Sequence, residues 1–168
     1  IDESPLIDCM TAWLIGSYAK IEPIKGVKFL LSRIFKGTLR SGVTWTCDVR
    51  NSKITVDIYV EKGSPAVRID CKCDWIELGK KETFVPQLNI IFPLPVDNSI
   101  RLFEVPFGVV NRDIENIDVP VLKWADISGT LKGSGKTVGL TVITDSKYGV
   151  RTDKDFLVVS LIRSSFDP

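Results

Sequence analysis

Gly129 to Thr137 is a glycine-rich segment whose composition is similar to a phosphate-binding loop. Such a loop needs four residues between its first Gly and the Gly-Lys pair, and it must lead into a helix whose amides hold the phosphate. Here five residues separate Gly129 from Gly135-Lys136, and the sequence that follows, Val138 to Ile143, is typical of a strand. The segment is therefore predicted to be the loop of a β-hairpin.

Two acidic residues, Asp74 and Glu77, flank Trp75. Paired carboxylates hydrolyse glycosides when they face each other at about 5 to 9 Å. Because successive side chains of a strand point to opposite faces, the two acids would diverge. We interpret them as a solvated strand end.

Trp45 and Trp75 alternate in step with apolar neighbours on their strands, which favours core positions over surfaces that stack on sugar rings. The pattern leaves Trp13 and Trp124 undecided.

The four cysteines are Cys9, Cys47, Cys71 and Cys73. Zinc pairs usually have two to four residues between the thiols, whereas one residue separates Cys71 from Cys73. We interpret these two as small buried hydrophobic residues on one face of a strand. All four thiols are expected to be reduced, and no metal is expected in this chain.

The chain contains no His, which excludes Ser-His-Asp and Cys-His nucleophiles and removes the commonest general base and zinc ligand. Lys and Arg number 22 against 21 Asp and Glu, without a basic stripe, so no nucleic-acid partner is predicted. The apolar stretches are far shorter than the roughly 18 residues that cross a membrane, so no membrane partner is predicted either.

The dominant hydrophobic period is two. Apolar and charged residues alternate through Val67 to Trp75, and similar alternation occurs in Ile54 to Glu61 and Val43 to Arg50. Turn residues separate these segments, which predicts an antiparallel meander. Further strands are predicted at Lys28 to Phe35, Leu88 to Phe92, Arg101 to Val105, Gly139 to Thr144 and Phe156 to Arg163.

These elements predict an all-β fold, an antiparallel β-sandwich forming one domain over residues 1–168. Cys9 to Ala19 fits a helix or an incoming strand, and residues 93–100 are predicted to be a loop. Because Ile1 is not Met and the sequence stops at Pro168, we expect a piece of a larger protein.

Four ordered blocks in the second half carry a family resemblance. The blocks are Phe103 to Gly108 followed by Arg112, Val119 to Ser128, Gly139 to Gly149, and Leu157 to Ser165. Their order and spacing resemble the C-terminal region of the zinc-dependent retaining α-mannosidases of glycoside hydrolase family 38, closest to the cytosolic and prokaryotic branch. Two features depart from the family: a basic loop at Leu131 to Lys136 replaces its Gly-rich acidic turn, and its remaining C-terminal strands are absent after Pro168.

The resemblance implies a galactose-mutarotase-like supersandwich that packs on an N-terminal catalytic domain of the same chain. That domain would hold the zinc, its His ligands and the nucleophilic Asp, so residues 1–168 alone are expected to be inactive. The resemblance also implies an α-mannoside as the carbohydrate partner and a cytoplasmic location. Two alternatives stay open, namely an independent carbohydrate-binding module and a sandwich that serves only protein assembly.

The candidate substrate-binding residues are Arg163, Arg112 and Asp167. Arg163 closes the strand Phe156 to Arg163 and is predicted to share a side with Leu157, Val159 and Leu161. Burial of an arginine on the apolar face of a strand costs free energy unless its charge has a partner or reaches a polar cleft. The planar guanidinium group is also well suited to hydrogen bonds with sugar hydroxyls. The resemblance implies that Arg163 lines the substrate wall, with Asp167 beside it and Arg112 as second candidate. The alternative is a clamp between Arg163 and Asp167 or the backbone.

Overall fold

A computed structural model describes residues 2–3, 18–20, 27–80, 85–113, 117–153 and 155–165, and this part of the chain contains strands but no helix. Every strand pairing is antiparallel, which confirms the predicted fold class. The strands are β1 Asp2–Glu3, β2 Tyr18–Lys20, β3 Leu30–Lys36, β4 Arg40–Val49, β5 Ser52–Glu61, β6 Val67–Asp74, β7 Val85–Pro93, β8 Val96–Val105, β9 Gly108–Asn111, β10 Val119–Pro120, β11 Trp124–Leu131, β12 Thr137–Ile143, β13 Gly149–Asp153 and β14 Phe156–Arg163.

The chain divides into two compact units. The larger unit consists of Ile1–Ile21 and Leu78–Pro168, and the smaller unit is Glu22–Glu77. That residues 1–168 form a single domain stays a prediction.

The smaller unit is one four-stranded sheet in the order β3-β4-β5-β6, which confirms the predicted meander. Trp45 lies opposite Val56, and Val56 lies opposite Cys71, so the apolar residues of three strands fall on the same face. Alternation therefore gives the sheet one apolar face and one polar face.

The larger unit contains two sheets. One has the order β10-β13-β14-β7-β1-β2, and the other has the order β12-β11-β8-β9. Phe103 of β8 and Leu157 of β14 are both 0% exposed, and they belong to one core cluster with Ile127 and Val150. Because both sheets supply this core, the larger unit is a β-sandwich.

The prediction of a loop over residues 93–100 is wrong. β7 extends to Pro93 and β8 begins at Val96, whose side chain is buried in the core. The register against β11 shifts near Asn98, which has a φ of 51°. The turn-forming residues therefore make a β-bulge inside a strand rather than a loop.

Residues 132–136 of the glycine-rich segment form the predicted hairpin loop between β11 and β12, whereas Gly129 to Leu131 belong to β11 and Thr137 to β12. Gly133 and Gly135 have φ values of 77° and 67°, which glycine adopts without steric cost. Of Cys9 to Ala19, only Tyr18 and Ala19 belong to the described residues, and they start strand β2. The choice between helix and strand for the remainder lies outside the described residues.

Candidate functional site

Arg163 is the last residue of β14 and lies opposite Gln87 of β7. A β-bulge between Ser160 and Ile162 shifts the register, so the residues beyond it point to the opposite face. The predicted side was therefore wrong: Arg163 shares a face with Ser160 and Gln87 rather than with Leu157. The extra residue of the bulge explains the difference, because sequence alternation alone assumes an uninterrupted strand.

A buried group of polar side chains lies on this face, and we call it the Asp118 cluster, formed by Gln87, Asp118, Arg151 and Ser160. The Asp118 carboxylate accepts hydrogen bonds from Arg151 Nε at 3.1 Å, Ser160 Oγ at 2.6 Å and Gln87 Nε2 at 3.2 Å. The Arg151 and Asp118 side chains are only 1% and 2% exposed. A buried ion pair needs additional hydrogen bonds to offset its desolvation, and this cluster supplies them.

The Asp118 cluster connects strands of the larger unit through hydrogen bonds. Its members come from β7, β13, β14 and the residue before β10, so the carboxylate ties together strands that are distant in sequence. Three of the roughly four acceptor positions of the Asp118 carboxylate are thus occupied within the larger unit. Sequence reasoning missed Asp118 and Arg151. The one sequence feature that could have indicated a buried charge is Arg151, which follows the apolar Val150 within β13.

Arg112 follows β9, next to the other sheet of the sandwich. Its guanidinium carbon lies 5.8 Å from the centroid of the Phe103 ring, a cation–π contact with a core side chain. Among the described residues, Arg112 Nε has no hydrogen-bond partner. Arg163 and Arg112 thus belong to different sheets, and Asp167 lies outside the described residues. Their roles in substrate binding stay predictions.

Glu77 lies beyond the end of β6 at Asp74, so the two acids do not belong to one continuous strand as the prediction assumed. Glu77 Oε1 accepts hydrogen bonds from Asn51 N at 2.9 Å and Ser52 Oγ at 3.0 Å, and Ser52 is buried. Asp74 is exposed at the end of β6. Glu77 is therefore a clamp on the turn between β4 and β5, which corrects its interpretation as a solvated acid.

Cys71 and Cys73 share one face of β6, as predicted, but Cys71 is exposed and Cys73 is half-buried. In the part of the smaller unit that the structure describes, burial of this face is confined to the end at Cys47 and Ile54, so alternation placed Cys71 on the predicted face without burying it. Cys47 is buried, and burial raises the pKa of its thiol. Among the described residues, no three His, Cys, Asp or Glu side chains form a group that could hold a metal ion.

Trp45 and Trp75 are half-buried rather than buried, and Trp124 is half-buried as well. Trp45 lines an open hollow of about 320 Å³ with Phe29, Val56 and Ile58. The prediction that Trp45 and Trp75 are core residues is therefore wrong, because each side chain is only partly buried. Trp13 lies outside the described residues.

The apolar face of the smaller unit is exposed over several strands. Val67 is 62% exposed and Val60 is 50% exposed, and they lie opposite each other. Other exposed apolar side chains of this face are Leu31, Ile34, Ile58 and Ile69. Soluble proteins rarely leave such a contiguous face uncovered, so it is a candidate interaction surface.

The polar face of the same sheet contains a cleft of about 270 Å³, which we call the Arg40 cleft. Its lining includes Arg33, Phe35, Arg40, Asp57, Tyr59 and Asp70. The Tyr59 hydroxyl donates a hydrogen bond to Asp70 Oδ2 at 3.1 Å, and this bond raises the pKa of Tyr59. Sequence reasoning missed the cleft, because its residues come from four strands and lie side by side only through cross-strand register.

No helix long and apolar enough to cross a membrane occurs in the described residues.

The comparisons with known proteins agree on one family. Residues 7–168 match the sequence model of the glycosyl hydrolases family 38 C-terminal domain. Alpha-mannosidase 2C1 of Homo sapiens is 26% identical over 178 aligned positions, and the protein of the same name from Mus musculus is 24% identical. Each alignment covers 99% of this chain and 16% of the relative.

The chain therefore spans about a sixth of the length of these relatives. The match to the family covers nearly all of the chain and includes both compact units. The all-β antiparallel fold and the four sequence blocks that carried the resemblance lie within the matched residues. The chain belongs to the C-terminal domain family of the family 38 glycosyl hydrolases.

Proposed function

We propose that this chain is the non-catalytic C-terminal β domain of a zinc-dependent retaining α-mannosidase that hydrolyses terminal α-mannosides in the cytoplasm. In this proposal the domain packs on the catalytic domain of the same protein and helps to shape its substrate cleft. The observation that carries the proposal is the family match over residues 7–168. Two α-mannosidases that align with 99% of the chain support the activity and the substrate class.

The residues of this chain do not fit a catalytic zinc ion. The sequence has no His, and the described residues contain no group of three acidic or thiol ligands. A catalytic zinc usually has three protein ligands, most often with His among them. The zinc and the nucleophile would therefore come from the catalytic domain, and this chain would contribute packing and wall residues.

The apolar face of the smaller unit supports packing on another domain. An antiparallel sheet normally covers its apolar face with a second layer. Since the chain spans only 16% of its relatives, most of such a protein lies outside it and is available to cover this face. We assign the catalytic domain as the occupant, because the family places both domains in one chain.

The activity is tested with the full-length protein that contains this chain. That protein should release the aglycone from an aryl α-mannoside, and a chelator should abolish the release, whereas residues 1–168 alone should show no turnover. Chelator-sensitive turnover by residues 1–168 alone would show that this chain is catalytic. Absence of α-mannoside hydrolysis by a folded, zinc-loaded full-length protein would refute the proposed activity.

The packing is tested with a charge on each face of β6. In the full-length protein, Val67→Asp should lower stability by about 3 kcal/mol or more, because a covered apolar face would bury an unpaired carboxylate. The matched control is Lys72→Asp, which places the same residue on the polar face of the same strand. An exposed substitution changes stability by about 0.5 kcal/mol or less. Equal melting temperatures for the two variants would mean that the apolar face is not covered.

A further inference from the structure

The Arg40 cleft has a floor of two aromatic rings that meet across β4. Phe35 lies opposite Gly42, and Gly42 lies opposite Tyr59. The ring centroids of Phe35 and Tyr59 are 6.4 Å apart at an interplanar angle of 53°. A Cβ atom at position 42 would lie 2.8 Å from Phe35 Cζ and 2.5 Å from Tyr59 Cβ. Glycine at this position therefore permits the rings to approach each other.

Two arginines make cation–π contacts with this aromatic floor. The guanidinium carbon of Arg33 lies 5.4 Å from the Phe35 centroid, and that of Arg40 lies 5.7 Å from Phe35 and 5.6 Å from Tyr59. A cation–π contact holds a guanidinium near a ring without using its N–H donors. Within the described part of the chain, no ion pair includes either arginine. The donors are thus available to a ligand.

The cleft also contains two carboxylates that hydroxyl groups hold in place. Thr44 Oγ1 donates to Asp57 Oδ1, and Tyr59 donates to Asp70 Oδ2, so each acid keeps a second oxygen for another donor. Arg33 and Arg40 bring two positive charges against two negative ones. A bare anion would be attracted by the arginines and repelled by the acids. A ligand with both an anionic group and hydroxyl groups satisfies both sets.

We propose that the Arg40 cleft binds a phosphorylated monosaccharide, with Arg33 and Arg40 holding the phosphate while Asp57 and Asp70 accept hydrogen bonds from sugar hydroxyls. Planar guanidinium groups bind phosphate oxygens in a bidentate manner, and carboxylates are acceptors for hydroxyl groups. The cleft volume of about 270 Å³ suits a ligand of this size. The choice of mannose as the sugar rests on the proposed function, whereas the need for a phosphate and hydroxyl groups rests on the cleft alone.

The test is calorimetric titration of the full-length protein with mannose 6-phosphate, mannose and inorganic phosphate. Mannose 6-phosphate should bind at least about tenfold more tightly than inorganic phosphate, since only the sugar phosphate engages the acids. Arg40→Ala should weaken binding of mannose 6-phosphate by about tenfold or more, which corresponds to 1.4 kcal/mol, and should leave the affinity for mannose unchanged. Hydrolysis of an aryl α-mannoside is measured separately, so a failed binding test and a failed activity test are distinguishable.

Three further variants keep the test independent of folding. Arg40→Lys keeps the charge but loses the planar fork, so it should bind more weakly than the wild type and more tightly than Arg40→Ala. Arg33→Lys makes the same exchange at the second arginine and should also weaken binding. The control is Lys53→Ala, which removes an exposed cation of the same sheet outside the cleft lining and should bind as the wild type. Equal affinities of the wild type, Arg33→Ala and Arg40→Ala for mannose 6-phosphate would overturn the proposal, as would equal affinity of the wild type for inorganic phosphate.

Discussion

The larger and the smaller unit use the same strand alternation, but they differ in how much of the apolar face is buried. Among the described residues, the smaller unit buries this face only at one end, at Cys47 and Ile54, and leaves the other end exposed. Leu157 of the sandwich is 0% exposed, whereas Val67 of the four-stranded sheet is 62% exposed. The larger unit has two sheets that share one core, and the smaller unit has a single sheet. The comparison shows that alternation decides which residues share a face, while a second layer decides whether that face is buried.

The largest expected effect concerns the buried charge of the larger unit. Asp118→Ala should destabilise the protein by about 3 to 5 kcal/mol, because it leaves the Arg151 guanidinium buried without the carboxylate. The exposed acid Asp74 of the smaller unit provides the control, and Asp74→Ala should change stability by about 0.5 kcal/mol or less. Chemical denaturation measures both. Similar losses in the two variants would contradict the contrast between the units.

Truncation of apolar side chains compares the two faces directly. Leu157→Ala should cost about 2 to 5 kcal/mol through a cavity in the sandwich core. In residues 1–168 alone, Val67→Ala should cost about 0.5 kcal/mol or less, because its side chain is largely exposed. Thermal melting of the two variants provides the measurement. A large loss for Val67→Ala in residues 1–168 would mean that this chain itself covers the face.

Arg163→Ala distinguishes a substrate-wall residue from a clamp at the end of β14. In the full-length protein, the substitution should lower kcat/KM for an aryl α-mannoside by about tenfold, or about 1.4 kcal/mol of transition-state stabilisation. If Arg163 acts on the substrate rather than as a clamp, thermal stability should stay nearly unchanged. A drop in stability with unchanged kinetics would identify Arg163 as a clamp.

The smallest effect concerns the thiols of the smaller unit. Cys71 is exposed and Cys47 is buried, so Cys71 should react faster with an alkylating reagent in the folded protein. Burial raises the pKa of the Cys47 thiol above its ordinary value of 9.0, so its reaction should increase only at higher pH. The stability linked to this raised pKa is fully present below pH 9.0 and is lost as the pH rises through the folded-state value. The variants Cys47→Ser and Cys71→Ser, followed by mass spectrometry, separate the two sites; faster labelling of Cys47 would contradict the assignment.

The sequence by itself determined the strands of the meander and their order, whereas β11 and β13 of the larger unit were not among the predicted strands. Alternation in Val67 to Trp75 and in Ile54 to Glu61 was sufficient, because side-chain direction in a strand has a period of two and depends only on the local backbone. The absence of His likewise excluded a self-contained His-dependent catalytic site, which follows from composition alone.

Only the tertiary structure decided where the chemically important side chains meet. The bulge beside Leu161 turns Arg163 to the face of the Asp118 cluster, and local alternation contains no signal for one extra residue. Phe35, Gly42 and Tyr59 become neighbours through pairing of three strands. Burial of the Trp45 face depends on a second layer that local sequence does not specify. Pairing partners and covering layers are long-range features of the folded chain, which is why the sequence predicted the strands of the meander but not the cleft.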